Sequence, residues 1–191
     1  GASGTLTFDV NVNAGLAPQT IDNNANYSYN DGAGPVGPFA TNFAPFIVNQ
    51  AVAFTFTGQT IPLAVQGATL SYTNTLTNNG NGTDRFDVVI GASTFPAGTS
   101  YALYQSDGAT PLSDTNGNGT PDTGPLVAGG TYDVVLRVTL PTSATGGPYQ
   151  VQKTATSVTN IAVNATATDI LTAITPNAVD LTNNSSAGAA P

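Results

Sequence analysis

Apolar residues along this chain recur at every second position rather than every third or fourth, the period of half-buried strands and not of helices. In residues 5–13, Leu6, Phe8, Val10 and Val12 face one way, while Thr7, Asp9 and Asn11 face the other. A second strand is expected near residues 20–30, with Ile21, Tyr27 and Tyr29. Residues 31–45 are rich in Gly and Pro and read as a long loop. Residues 46–57 are strand-like, with Val52, Phe54 and Phe56 on one face, and residues 61–66 continue after a turn at Gly58.

From Gly67 the rhythm is regular. Leu70, Tyr72, Asn74 and Leu76 alternate with Ser71, Thr73, Thr75 and Thr77, and the Asn/Gly run 78–82 makes the following turn. Residues 85–90 turn Phe86, Val88 and Ile90 inward, and residues 100–105 form a short strand with Tyr101 and Leu103. After a polar loop over 106–124, residues 132–140 turn Tyr132, Val134, Leu136, Val138 and Leu140 inward. Residues 148–158 and 163–174 supply two more strands.

About ten strands with turn signals roughly every 8–12 residues predict an all-β fold, an antiparallel Ig-like or jelly-roll-like sandwich with an extended N-terminal strand. Four segments follow: a donor-type strand over 1–13, strands and a Gly/Pro-rich loop over 14–65 packing on the sandwich, the Ig-like sandwich over 66–175, and a polar tail over 176–191.

Composition narrows the chemistry. The 191 residues hold 3 Lys+Arg against 11 acids, all of them Asp, for a net charge of −8. His, Cys, Met and Trp are absent. The usual zinc, copper, haem and iron–sulfur ligands are therefore missing, as are Ser-His-Asp and Cys-His catalysis and any disulfide. Three cations make no basic patch for nucleic acid or anionic lipid, and no apolar run reaches the length of a membrane span. Charged residues are 7% of the chain, so Thr, Asn, Ser and Gly must keep the surface wet. One Lys and no Glu favour an extracellular protein over a cytosolic one. The start, Gly1-Ala2-Ser3-Gly4, reads like a mature end left by cleavage at a small-residue site. Sequons at Asn26, Asn81, Asn118, Asn164, Asn183 and Asn184 offer glycosylation sites.

Residues 67–84 (Gly-Ala-Thr-Leu-Ser-Tyr-Thr-Asn-Thr-Leu-Thr-Asn-Asn-Gly-Asn-Gly-Thr-Asp) resemble the opening of the conserved repeat domain of bacterial surface proteins, the domain-of-unknown-function eleven family. Its Tyr-x5-Asn-x-Gly strand and turn match Tyr72, Asn78 and Gly80, with the apolar strand 86–90 behind them. The loop 114–122 and the Gly124–Gly130 lead into residues 132–141 are similar to that family too, as is the upstream strand over 19–29. The resemblance spans roughly residues 20–169 and implies an Ig-like fold and a cell-surface location, with no catalytic motif to carry over. Such domains come in tandem arrays, and this chain holds one copy, which suggests assembly by association.

Three features carry candidate chemistry. Asp114, Asn116, Asn118, Thr120 and Asp122 fall at positions 1, 3, 5, 7 and 9 of a loop with Gly119 at position 6, the spacing that wraps Ca²⁺. A plain Asx-turn loop has the same sequence, and the acid at position 12 is replaced by Pro125. Lys153 alternates with Tyr149, Val151 and Ala155 and so points inward, as Asn74 does beside Tyr72. That arrangement suits either a Lys–Asn isopeptide crosslink, which needs a nearby acid, or a lysine that snorkels at an edge. Arg85 with Asp87, and Arg137 with Asp133, are expected to pair outward, and Asp31, Asp84, Asp107 and Asp180 to sit at turns or on outward positions. No acid pair is aimed at a common pocket, so no enzyme is expected.

The third feature is the N-terminal strand. Four aligned apolar residues at an edge must pair with something, either within the domain or in an incomplete sheet of a neighbour. Repeated head to tail, the second arrangement makes a filament of identical subunits. The expected function is thus an extracellular structural protein, a pilus or biofilm-type subunit joined through Leu6, Phe8, Val10 and Val12. The alternative is an adhesin or S-layer-associated binding module using the Tyr101–Asp122 region and calcium.

Overall fold

The computed structural model describes residues 15–176. Their regular structure is β throughout, in twelve strands: β1 (Gln19–Ile21), β2 (Asn26–Asn30), β3 (Pro35–Ala40), β4 (Phe46–Val48), β5 (Phe54–Phe56), β6 (Thr60–Val65), β7 (Thr69–Asn78), β8 (Phe86–Ser93), β9 (Ser100–Tyr104), β10 (Thr131–Thr139), β11 (Tyr149–Ser157) and β12 (Asn164–Thr175). Eight of them build a two-layer sandwich. One sheet has the order β5-β7-β10-β9 and the other β6-β12-β11-β8. All pairings are antiparallel except β6 with β12, which run parallel.

Alternation in sequence becomes burial in space. On β7, Leu70, Tyr72, Asn74, Leu76 and Asn78 are buried while Thr69, Ser71 and Thr73 are exposed. The inner faces form two apolar clusters. One gathers Leu70, Tyr72, Leu136, Val138, Val151 and Leu171, and the other Leu76, Phe86, Val88, Val134, Ala155 and Ala167. Each fully buried Val or Leu contributes about 1.5–3 kcal/mol, enough for a core that has no disulfide.

The chain changes sheets between β5 and β6, and Gly58 makes that step. A Cβ at Gly58 would lie 2.0 Å from the carbonyl oxygen of Thr168 on β12, so only glycine lets the crossover lie against that strand. The contact positions Gln59, whose carbonyl accepts the Ile170 N–H at 2.9 Å and whose own N–H reaches Asp169 Oδ1 at 2.9 Å.

Ahead of the sandwich the reading from sequence needs correction. Residues 31–45 are not a continuous loop, because β3 pairs with β2 and sets Tyr27 opposite Phe39 and Tyr29 opposite Val36. A two-stranded ribbon has outer edges on both strands, so Pro35 and Pro38 cost it no ladder bond where they face outward. The strand expected over 20–30 is two, β1 and β2, with β1 pairing instead to β4. The stretch 46–57 is also broken, since residues 51–53 clamp the 78–83 turn through Asn79 N–H to Ala53 O (2.8 Å) and Asn81 N–H to Ala51 O (3.2 Å). β5 and β6, from the same early segment, are integral strands of the sandwich. The strand of Leu6, Phe8, Val10 and Val12 lies outside the described residues, as do Asp180, Asn183 and Asn184.

The expected charge pairs are replaced. Arg85 Nε lies 3.3 Å from Asp122 Oδ1, not against Asp87. The Arg137 guanidinium sits 4.7 Å over the Tyr104 ring, and Asp133 accepts from Thr75 Oγ1 at 2.6 Å across the β7–β10 pair. Asp84 is buried rather than outward. Its Oδ1 accepts from Arg85 N–H (2.7 Å) and from the backbone and hydroxyl of Thr159 (3.1 and 2.7 Å), while Oδ2 accepts from Ser157 Oγ (2.6 Å). It fastens the β11–β12 turn to the start of β8, which is a structural task that alternation alone does not reveal. Asp31 and Asp107 hold turns, as expected, by accepting backbone N–H bonds two and three residues on.

Candidate functional site

The Asp/Asn loop closes on itself. Asp114 Oδ1 accepts the N–H groups of Asn116 (3.1 Å), Gly117 (2.7 Å) and Asn118 (3.3 Å), and Oδ2 accepts that of Gly119 (2.7 Å). These donors, led by Gly119, hold the Asp114 carboxyl below its ordinary value. Asn116 Oδ1 accepts from Asn118 N–H and Asn118 Oδ1 from Thr120 N–H, each at 2.9 Å. Asp122 is buried, with its oxygens taken by Thr115 N–H and Oγ1 (2.7 and 2.6 Å) and Gly124 N–H (2.6 Å). The five expected ligands share one loop, but the side-chain oxygens of Asp114, Asn116, Asn118 and Asp122 are turned onto backbone amides and the Thr115 hydroxyl, the arrangement of consecutive Asx-turns. Among the described residues, no group of three or more His, Cys, Asp or Glu residues is placed to hold a metal ion.

Asp87 stands beside this loop. Its Oδ2 accepts from Asn118 Nδ2 at 2.7 Å. Partial burial pushes its carboxyl up; the Asn118 hydrogen bond opposes this, and the charges of Asp122 and Asp114 add to it. The Tyr101–Asp122 region offers little open aromatic surface. The Tyr101 hydroxyl is bonded to Ser93 Oγ at 2.6 Å, its ring meets Phe95 edge-on, and Arg137 covers a face of Tyr104.

Of the sequon asparagines, Asn26 and Asn164 are exposed at the starts of β2 and β12. Asn118 is exposed but bonded to Asp87, and Asn81 is engaged at both ends of its amide, with Nδ2 donating to Leu16 O and Asn49 O and Oδ1 accepting from Ala51 N–H. Asn81 thereby fastens the early segment to the sandwich.

That early segment presents apolar surface. Tyr27 and Tyr29 are each 53% exposed, Phe43 55% and Ile47 70%. Phe39 lies between the two tyrosines, with ring centroids 5.5 Å and 6.2 Å away. Among the described residues β6 is an edge strand of its sheet, and it bears exposed Leu63 and Val65.

The most unusual group lies between the two core clusters. Lys153 on β11, Asp169 on β12 and Asn74 on β7 are all fully buried. Lys153 Nζ bonds Asp169 Oδ2, and Asn74 Nδ2 donates to Asp169 Oδ1 at 2.6 Å. Asn74 Nδ2 also donates to Thr57 O at 3.1 Å, whereas Asn74 Oδ1 has no hydrogen-bond partner. Burial pulls the Lys153 ammonium below the ordinary lysine value, against the pull of Asp169. Burial first, then the Asp169 charge, raises the Tyr72 hydroxyl. The inward positions of Lys153 and Asn74 follow from alternation, whereas an acid such as Asp169 reads from sequence as a turn or outward residue. Its signal was present, because Ala165, Ala167, Asp169 and Leu171 share one face of β12.

No family model matches the chain, and no curated protein matches it. Among solved structures, a family 123 glycoside hydrolase from Clostridium perfringens is similar over 65% of the chain at 8% identity and a TM-score of 0.43, and the chain spans 27% of that hydrolase. The PapD-like domain 7 of human CEP192 is similar over 68% of the chain and 87% of its own length, at 15% identity and a TM-score of 0.37. AggA, the major subunit of aggregative adherence fimbriae type I from Escherichia coli, is similar over 67% of the chain and 97% of its own length, at 15% identity and a TM-score of 0.37.

Proposed function

We propose that this protein is an extracellular structural subunit that polymerises head to tail, with the strand over residues 5–12 of one copy adding to a sheet edge of the next. The observation that carries the reading is the segment ahead of the sandwich. It folds into two separate two-stranded ribbons, which leave Tyr27, Tyr29, Phe43 and Ile47 more than half exposed. Two-stranded ribbons are marginal in water, and clustered exposed aromatics mark contact surfaces.

Among the described residues both sheets already close over their cores, so a donated strand would extend an edge rather than fill a gap. The outer edge of β6 suits this, with Leu63 and Val65 exposed for an incoming strand's apolar face. A donor on one side and an acceptor on another make a heterologous contact, which propagates into a fibre. A Thr- and Asn-rich chain with only 7% charged residues, and the resemblance to bacterial surface domains, support an extracellular location.

Negative-stain microscopy of the full chain and of a form lacking residues 1–13 tests the reading. The full chain is expected to form filaments, and the shortened one soluble monomers with an unchanged circular dichroism spectrum. Filaments from the shortened form would end the donated-strand mechanism, and monomers from the full chain would end the polymer itself.

A further inference from the structure

We infer that Lys153 and Asn74 become joined by an intramolecular isopeptide bond, formed by the protein itself with Asp169 as proton shuttle, which ties one sheet of the sandwich to the other. The geometry brings the three groups together on one carboxylate. Asp169 Oδ2 holds the amine that would attack, and Oδ1 holds the amide nitrogen that would leave. Gln59 N–H donates to Oδ1 at 2.9 Å, and its position depends on the Gly58 crossover, so the carboxylate is fixed from a third strand connection.

The step balances without any co-reactant. Asp169 takes a proton from the Lys153 ammonium, leaving a neutral amine. The Nζ lone pair attacks Asn74 Cγ and forms the new C–N bond, with the pair from the carbonyl bond moving to Oδ1. As the carbonyl re-forms, the bond from Cγ to Nδ2 breaks, and Nδ2 departs as ammonia with the proton that Asp169 returns. The attacking nitrogen gives its surplus proton to Asp169, which passes it to the departing ammonia. The products are a secondary amide, an ammonium ion and the carboxylate as it began.

The surroundings favour this outcome. All three residues are fully buried, so water does not compete as nucleophile. Desolvation works against the ammonium form of Lys153 and so towards the nucleophilic amine. Held on the two oxygens of one carboxylate, the amine and the amide are spared the entropy of encounter, which in well-oriented intramolecular reactions is worth effective molarities on the order of 10⁵ M or more. The reacting residues come from opposite sheets, β7 and β11, and sit in the layer between the two apolar clusters.

Intact-mass measurement on the purified full chain, followed by trypsin digestion, tests the bond, whatever the protein's assembly. The expected mass is lighter than the sequence mass by one ammonia. Trypsin should spare Lys153 and leave peptides 1–85 and 138–191 joined. Each variant should show its own full sequence mass, with peptide 1–85 free: Asn74→Ala and Asp169→Ala with cleavage after Lys153, and Lys153→Met with 138–191 released whole. The unmodified sequence mass in the wild-type chain, with cleavage after Lys153, would overturn the proposal and leave a buried ion pair; this reading needs no variant to fold. Loss of ammonia with the peptides free would also overturn it, as that is the mark of cyclised Asn-Gly steps. A joined pair persisting in Asp169→Ala would remove Asp169 from the reaction.

Discussion

At the scale of single residues, polar side chains sit inside because each is placed where backbone groups need it. The buried Asn78 donates through Nδ2 to Gly82 O (3.0 Å) and Leu126 O (2.9 Å) and accepts the Gly80 N–H at 2.9 Å. This explains the Tyr-x5-Asn-x-Gly pattern physically: the asparagine side chain does for the turn what no backbone group is placed to do. Asn78→Ala is expected to cost on the order of 3 kcal/mol in urea unfolding, because it leaves several buried partners unmade, whereas the exposed Asn79→Ala should stay within about 0.5 kcal/mol. The Asp114 carboxyl gives a pH prediction. Its folded value is depressed, so the ordering it contributes is present above the ordinary Asp value of about 3.9 and is lost as pH falls through the lower folded value. The Gly117 and Gly119 amide resonances should move together in that acid window, below the midpoint of an unstructured Asp.

At the scale of elements, the junction between β5 and β6 is the most demanding. Placing a Cβ at residue 58 sets it 2.0 Å from Thr168 O and 2.7 Å from its carbonyl carbon, a collision with backbone that no rotamer change relieves. Gly58→Ala is therefore expected to lose at least about 2 kcal/mol and to raise hydrogen exchange along β6 and β12 before the rest of the sandwich. The β2–β3 ribbon behaves in the opposite way. Tyr29→Ser with Phe39→Ser removes exposed rings that touch each other rather than the sandwich core, so the melting temperature should hold while association in light scattering falls. An unchanged association would place the contact surface elsewhere.

At the scale of the whole molecule, the sandwich is one body held by two apolar clusters, with a polar layer at Asn74, Lys153 and Asp169 between them. An ion pair in that position is weak support for stability, because desolvation offsets most of the attraction. In the unjoined chain, Asp169→Ala leaves Lys153 buried without its partner, and a loss of about 3–5 kcal/mol is expected in chemical denaturation. The inferred covalent tie changes the meaning of that layer. It would join residues roughly 80 positions apart, and a closed loop of that length restricts the unfolded chain by about 4.5 kcal/mol in the entropy model used for disulfides.

The period of two by itself determined the six strands from β7 to β12, because each turns one face to the core and that face leaves its imprint at every second residue, whereas on β6 Ala64 is buried and the apolar Leu63 and Val65 are exposed. The same imprint put Asn74 and Lys153 inside and equally marked Asp169, though an acid read alone suggests a turn or an outward position. Over β1 to β4 the signal fails for the opposite reason. The ribbons β1–β4 and β2–β3 bury little, so nothing obliges their residues to alternate, and the Gly and Pro content hid β3. Only the tertiary structure decided what meets across strands: that Arg85 turns to Asp122, that the calcium-like loop folds its oxygens onto its own amides, and that one carboxylate holds both a lysine and an asparagine. Those are contacts between residues distant in the chain, and local spacing carries the direction of a side chain but not the identity of what it will face.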